Sequence, residues 1–194
     1  MSAPQISLEC YPFVVDLTKM NELMASFGWR SATSEEIPEI VALGENLIND
    51  RLADPDTIER VHEATKITAW AFGDDPIEGM VLQVPLSEAG LAALEANEFT
   101  PGNPDPAHIA AVGELCAACY IGIYAGATYE ARKAVMTGAG VIRMGVFPQV
   151  PCFARAATED GARSMESLGW APAGFGPDKL WMQGAIQAPS QKVA

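Results

Sequence analysis

The stretch ELCAACYIGIYAG at 114–126 constrains the fold more than any other segment of the 194-residue chain. A near-continuous apolar run of this length predicts a central strand covered on both faces, not one half open to water. The order of strands and helices around it argues α/β or α+β with a mixed sheet. The rest of the sequence supplies the layers. ISLECYPFVV (6–15) reads as an opening strand, weakened by Pro12. Residues 17–27 put Leu17, Met20, Met24 and Phe27 on one helical face. A second helix is expected within TSEEIPEIVALGENLINDR (33–51), capped by Thr33 or Ser34, with Ile37, Ile40, Val41, Leu47 and Ile48 as its buried stripe.

KITAWAF (66–72) and EGMVLQVPL (78–86), joined by GDDPI, read as a hairpin. A short helix capped by Ser87 follows, then the loop TPGNPDP (100–106). Beyond the apolar run come a helix over 128–139, a strand over 151–158, a helix over 159–168, and two short strands around APAGF and KLWMQGA. One domain over 1–186 and a frayed tail over 187–194 are expected.

Charge narrows the function classes. The net charge is −13, and it is uneven: residues 1–113 carry 19 acidic and 5 basic side chains (−14), whereas residues 114–194 carry 6 and 7 (+1). No basic stripe suits a nucleic acid. The acidic half either keeps the protein soluble or attracts a cationic substrate. No apolar run approaches the roughly 20 residues that span a bilayer, and the N-terminus lacks a signal-peptide pattern, so a cytoplasmic location is expected. The apolar terminal strands are of a kind that can pair across a homodimer.

Four cysteines, Cys10, Cys116, Cys119 and Cys152, are expected reduced and mostly buried. On one continuous strand, Cys116 and Cys119 point to opposite faces and share neither a metal nor a disulfide. His62 and His108 are isolated and read as surface residues. Gly138 and Gly140 read as helix terminators. The pattern Met-x-Ser-[Phe/Leu]-Gly-Trp occurs at 24–29 and again at 165–170. With Gly28 or Gly169 at C′, Met and Trp fall at C3 and C″ of a Schellman-type cap, so the repeat is the same helix end used twice.

The order of elements, and above all CFARAATEDGARSMESLGWAPAG, resembles the GNAT superfamily of acyl-CoA-dependent N-acyltransferases. The resemblance implies a mixed, mostly antiparallel sheet flanked by helices, acetyl-CoA or another acyl-CoA as cofactor, and transfer to a small-molecule amine, which the acidic charge would favour as cationic. The family's diphosphate motif has its nearest counterpart in Ile123, Tyr124, Gly126, Ala127 and Thr128, with Arg132 one turn into the helix. There Gly126 takes the central glycine's place, while Ile123 and Thr128 depart from the outer positions. The resemblance implies Glu114 as general base. It places Met165 where the family tends to carry a proton-donating tyrosine; Tyr124 is the candidate acid in its stead, with Tyr120 and Tyr129 as other choices. A catalytically degenerate ligand-binding or interaction module is the alternative.

Overall fold

The computed structural model describes residues 10–156 and 159–186. In chain order its strands are β1 (Phe13–Val14), β2 (Trp29–Ser31), β3 (Ala69–Phe72), β4 (Gly79–Leu86), β5 (Leu115–Cys116), β6 (Ala118–Gly126), β7 (Cys152–Arg155), β8 (Ala171–Pro172) and β9 (Leu180–Gln183). Its α-helices are α1 (Leu17–Ala25), α2 (Ile37–Ile48), α3 (Pro55–Thr65), α4 (Glu88–Glu95), α5 (Tyr129–Val141) and α6 (Glu159–Ser167). Seven strands form the main sheet in the order β2-β3-β4-β6-β7-β9-β8, and β1 pairs with β5 apart from it. Every neighbouring pair is antiparallel except β6 with β7. The fold is therefore the expected α+β arrangement, with a mixed, mostly antiparallel sheet.

Apolar side chains fill both faces of the sheet. On one, Met20 and Met24 of α1 and Val135 of α5 meet Trp29, Trp70, Val81, Cys119 and Cys152. On the other, Ile37, Ile40 and Ile58 cover Met80 and Leu82, and Leu94 and Phe99 cover Val84, Tyr120 and Phe153. Local chemistry starts the helices where expected: the Ser87 hydroxyl accepts from Gly90 N–H at 3.1 Å, and the Thr128 hydroxyl accepts from Ala131 N–H at 3.1 Å. The second hexapeptide makes both Schellman bonds, Trp170 N–H to Met165 O and Gly169 N–H to Glu166 O, each 3.0 Å. The first makes only the bond from Gly28 N–H to Ala25 O, because Trp29 leaves the helix to open β2.

Several expectations need correction. β2 and α3 have no counterpart among the expected elements. The cap of α2 is Glu36, whose carboxylate accepts from Thr33; neither Thr33 nor Ser34 caps the helix. Along 114–126, burial on both faces stops at Tyr120; the strand wholly covered is β4. The run is also broken at Ala117, whose N–H donates to Leu86 O. The break puts Cys116 and Cys119 in one apolar cluster with Cys152 instead of on opposite faces. Gly138 and Gly140 lie inside α5, which runs on into a π-helical turn over Ile142–Val146. His62 is buried. The proposed tail and residues 6–9 of the opening strand lie outside the described residues. No helix among the described residues is long and apolar enough to cross a membrane.

Candidate functional site

β6 and β7 run parallel in register only from Cys119, Tyr120 and Ile121 against Cys152, Phe153 and Ala154. Past that point β6 continues to Gly126, paired with β4 alone. Its register against β4 slips at Gly122, an exposed β-bulge residue. From Gly122 onward the β7-side edge of β6 has no backbone partner among the described residues. A strand in the middle of a sheet thus presents peptide groups unpaired among the described residues, a place where an extended chain with amides of its own can hydrogen-bond.

The bulge also decides where the following side chains point, since one extra residue reverses the alternation. Ile123 turns to the face covered by α2 and α3, packing among Met80, Leu82 and Ile40. Tyr124 turns to the opposite face beside Ile121. Neither side chain of this expected cofactor-binding pair reaches the turn that follows.

That turn holds Gly126, Ala127 and Thr128, with Arg132 exposed one turn into α5. A Cβ at Gly126 would lie 2.6 Å from the Ala131 carbonyl carbon and from Arg132 N, so only glycine lets α5 approach β6 this closely. The first backbone donors of α5, on Tyr129 and Glu130, lack intrahelical acceptors, as at any helix start. Two features oppose a bound diphosphate. Ala127 N–H is already donated to Glu78 O at 2.8 Å. The Glu78 carboxylate accepts from the Thr128 hydroxyl at 3.1 Å, which sets a negative charge at the helix's positive end, with Glu130 exposed in the first turn. The open edge suits the amide-bearing arm of a coenzyme; the helix start suits its diphosphate less well.

The acid–base candidates do not converge on the open edge. The exposed Glu114 carboxylate accepts from Ala111 N–H at 3.0 Å, closing its own turn. It lies eight residues before the bulge, roughly 20 Å or more along an extended chain. The Tyr124 hydroxyl donates to Gln83 Oε1 at 3.1 Å, and Gln83, wholly buried, donates onward to Ile67 O. Burial pushes the Tyr124 phenol well above its ordinary range. Tyr120 packs on Phe99 with ring centroids 5.4 Å apart, while Tyr129 projects into solvent. Met165 contributes its carbonyl to the α6 cap.

Two groups that lack a sequence signal emerge from tertiary contact. His62 accepts from Ala69 N–H at Nδ1 (3.0 Å), so its proton sits on Nε2, 3.1 Å from Ala32 O and 3.2 Å from Ser31 Oγ. A protonated Nε2 takes no proton from Ser31, so this pair is structural, not nucleophilic. Arg143, on the π-helical turn, is buried and donates to Gln183 Oε1 at 2.7 Å and to the carbonyls of Phe147, Val150 and Gly184. Among the described residues no carboxylate pairs with it, and no cluster of ligating side chains forms a metal site.

An open hollow of about 660 Å³ lies at the C-terminal end of β7. Phe175 and Trp181 give it aromatic walls, Glu159 and Asp178 carboxylates, and Lys179 a single cation. Phe175 is held by edge contact with Phe153, at 5.9 Å between centroids. Carboxylates beside aromatic faces suit a cationic amine.

No family model and no curated protein matches the chain. It is similar to several solved structures. The histone acetyltransferase HPA2 and related acetyltransferase of Corynebacterium glutamicum matches at 15% identity over 83% of this chain and 97% of that one, with a TM-score of 0.47. Ard1 of Thermoplasma volcanium matches at 8% identity over 82% and 97%, with a TM-score of 0.49. The GNAT-like decarboxylase GphF, in complex with isobutyryl-CoA, matches at 15% identity over 78% and 79%, with a TM-score of 0.44.

Proposed function

We propose that the protein binds an acyl-CoA in the cytoplasm, with the amide-bearing arm along the free edge of β6 beyond Gly122, and presents the thioester to a small cationic amine. The observation that carries the reading is that edge: peptide groups inside a sheet with no backbone partner among the described residues beyond the β6–β7 pairing. A strand edge of this kind can take an extended, amide-bearing partner in place of water. Arg132 and the α5 start would face the diphosphate, against the opposing charge of Glu78; Glu159 and Asp178 would receive the amine. When bound, the coenzyme supplies an activated thioester; the chain's own part is to orient it and to hold the acceptor.

A second reading, binding without transfer, is favoured by the placement of the acid–base candidates. Glu114 closes a remote turn and the Tyr124 hydroxyl is bonded inside the core.

Calorimetry with acetyl-CoA and with acetyl-pantetheine, which lacks the diphosphate, tests the proposal. Gly126 is a poor position for a probe, because any side chain there displaces α5. Glu78→Gln is better. It removes a charge worth about 0.3–1 kcal/mol at a helix end. Acetyl-CoA should then bind up to about fivefold tighter, with acetyl-pantetheine unchanged. Absence of binding by either ligand at millimolar concentration sinks the reading. Incubation with an amine panel, followed by free-thiol release, separates the two readings: release supports transfer, and binding without release supports the module.

A further inference from the structure

The parallel seam that closes the open edge carries a thiol pair. Cys119 of β6 and Cys152 of β7 are direct register partners, so their side chains leave adjacent strands on one face. Both are buried, at 0% and 1% exposure, within the same apolar cluster. Neighbouring strands lie about 4.8 Å apart, inside the roughly 4.4–6.8 Å Cα separation that a disulfide spans. Each thiol lies near enough to the other to shift its ionisation. Cys119 Sγ also lies 3.9 Å from Gln83 Oε1, the atom that accepts from Tyr124.

Beside the pair sits Arg143. Its guanidinium is held by carbonyl and amide oxygens, and among the described residues it has no carboxylate counter-charge. A buried cation in that position favours an anion nearby, and a thiol next to it is the group able to supply one. The neighbouring Cys119 first, and then the charge of Arg143, hold the Cys152 thiol below its ordinary range, against burial. Cys116 shares that cluster, and Cys10 packs against it, but neither is a register partner of Cys119 or Cys152. Cys116 donates to Ala118 O and Cys10 to Ala117 O, and burial pushes both thiols up.

We propose that Cys119 and Cys152 form a reversible disulfide across the β6–β7 seam, with Arg143 stabilising Cys152 as the thiolate that reacts first. With hydrogen peroxide as oxidant, the Cys152 sulfur attacks a peroxide oxygen, giving a sulfenic acid and one water. Cys119 then attacks that sulfur, forming the S–S bond and releasing a second water. The two thiols lose two electrons and two protons, and the peroxide is reduced to water. The bond staples the strand pair where the open edge begins and is undone by dithiothreitol.

The test reads thiols, so it stands independently of any coenzyme binding. The folded protein is treated with hydrogen peroxide, quenched, denatured, alkylated and mapped by peptide mass spectrometry. The expected result is loss of two alkylatable thiols, a Cys119–Cys152 linked peptide, and recovery of both thiols after reduction. Cys116→Ser should behave as wild type, and Cys152→Ser should yield no linked peptide. Arg143→Lys, which keeps the charge but not the fork, should slow linkage. Four alkylatable thiols after peroxide, a linkage between another pair, or linkage at an undiminished rate in Cys152→Ser through Cys116 would overturn the proposal.

Discussion

Two glycines two residues apart on α5 have opposite reasons for being glycine. A Cβ at Gly138 would lie 2.9 Å from Trp29 Nε1, on a ring that is 1% exposed and whose N–H donates to Ala134 O at 3.3 Å. A Cβ at Gly140 would meet nothing within 4 Å. Alanine gains about 1 kcal/mol over glycine inside a helix, whereas overfilling a packed site costs about 1–3 kcal/mol. Gly140→Ala should therefore raise unfolding stability by about 0.5–1 kcal/mol. Gly138→Ala should lower it by about 1 kcal/mol net, as the indole is displaced. Urea denaturation of both variants checks the pair. A terminator glycine at 140, left-handed as at Gly28 and Gly169, would give a loss in place of the gain.

At the scale of the element, what the sequence reveals is what depends on near neighbours. Ser87 and Thr128 are legible as caps because each bonds three residues on, and the second Met-x-Ser-Leu-Gly-Trp is legible because its bonds span five. The slip at Gly122 is invisible locally, and it alone sends Tyr124 into the core. Nor does spacing announce Glu78 bonded to Thr128 fifty residues on, or Arg143 bonded to Gln183. α3 belongs to this second kind, since its seat on β2 and β3 runs through His62.

Burial first, then the charge of Lys66, lowers the His62 pKa from its ordinary 6.5, although the Ala32 bond and Glu63 oppose the shift. The folded protein thus holds fewer protons here than the unfolded chain. The stabilisation is full above pH about 6.5 and is lost as pH falls below it. A second loss belongs to Glu36, which Arg30 and Thr33 hold at about 2 against an ordinary 4.5; its contribution fades as pH falls through that lower window. Denaturation midpoints measured from pH 8 to 3 should fall in two stages. His62→Gln should flatten the first and leave the second, while lowering stability throughout by about 1–3 kcal/mol for the unsatisfied Ala69 amide. A first stage undiminished in that variant would detach α3 from this titration.

The whole molecule carries a net charge of −13, the sum of −14 before residue 114 and +1 from there on, and Glu78 brings the acidic half's charge to the start of α5. Acyl-CoA is itself a polyanion, so the overall field repels the proposed ligand. Arg132 and Lys133 on α5 provide only local attraction. Repulsion between exposed charges is screened over a Debye length of about 8 Å at physiological ionic strength, and over about 30 Å at 0.01 M. Since the repelling charges are many and spread out while the attracting ones are few and near, salt should remove more repulsion than attraction. Acetyl-CoA binding should tighten as ionic strength rises from about 0.01 to 0.15 M. Acetyl-pantetheine, without the diphosphate, should bind equally at both. Glu78→Gln should reduce the salt dependence without abolishing it, because the distant acids remain. A series of isotherms at increasing sodium chloride reads all three, and weakening of acetyl-CoA with salt would mean that Arg132 and Lys133 dominate the site despite the charge of the rest.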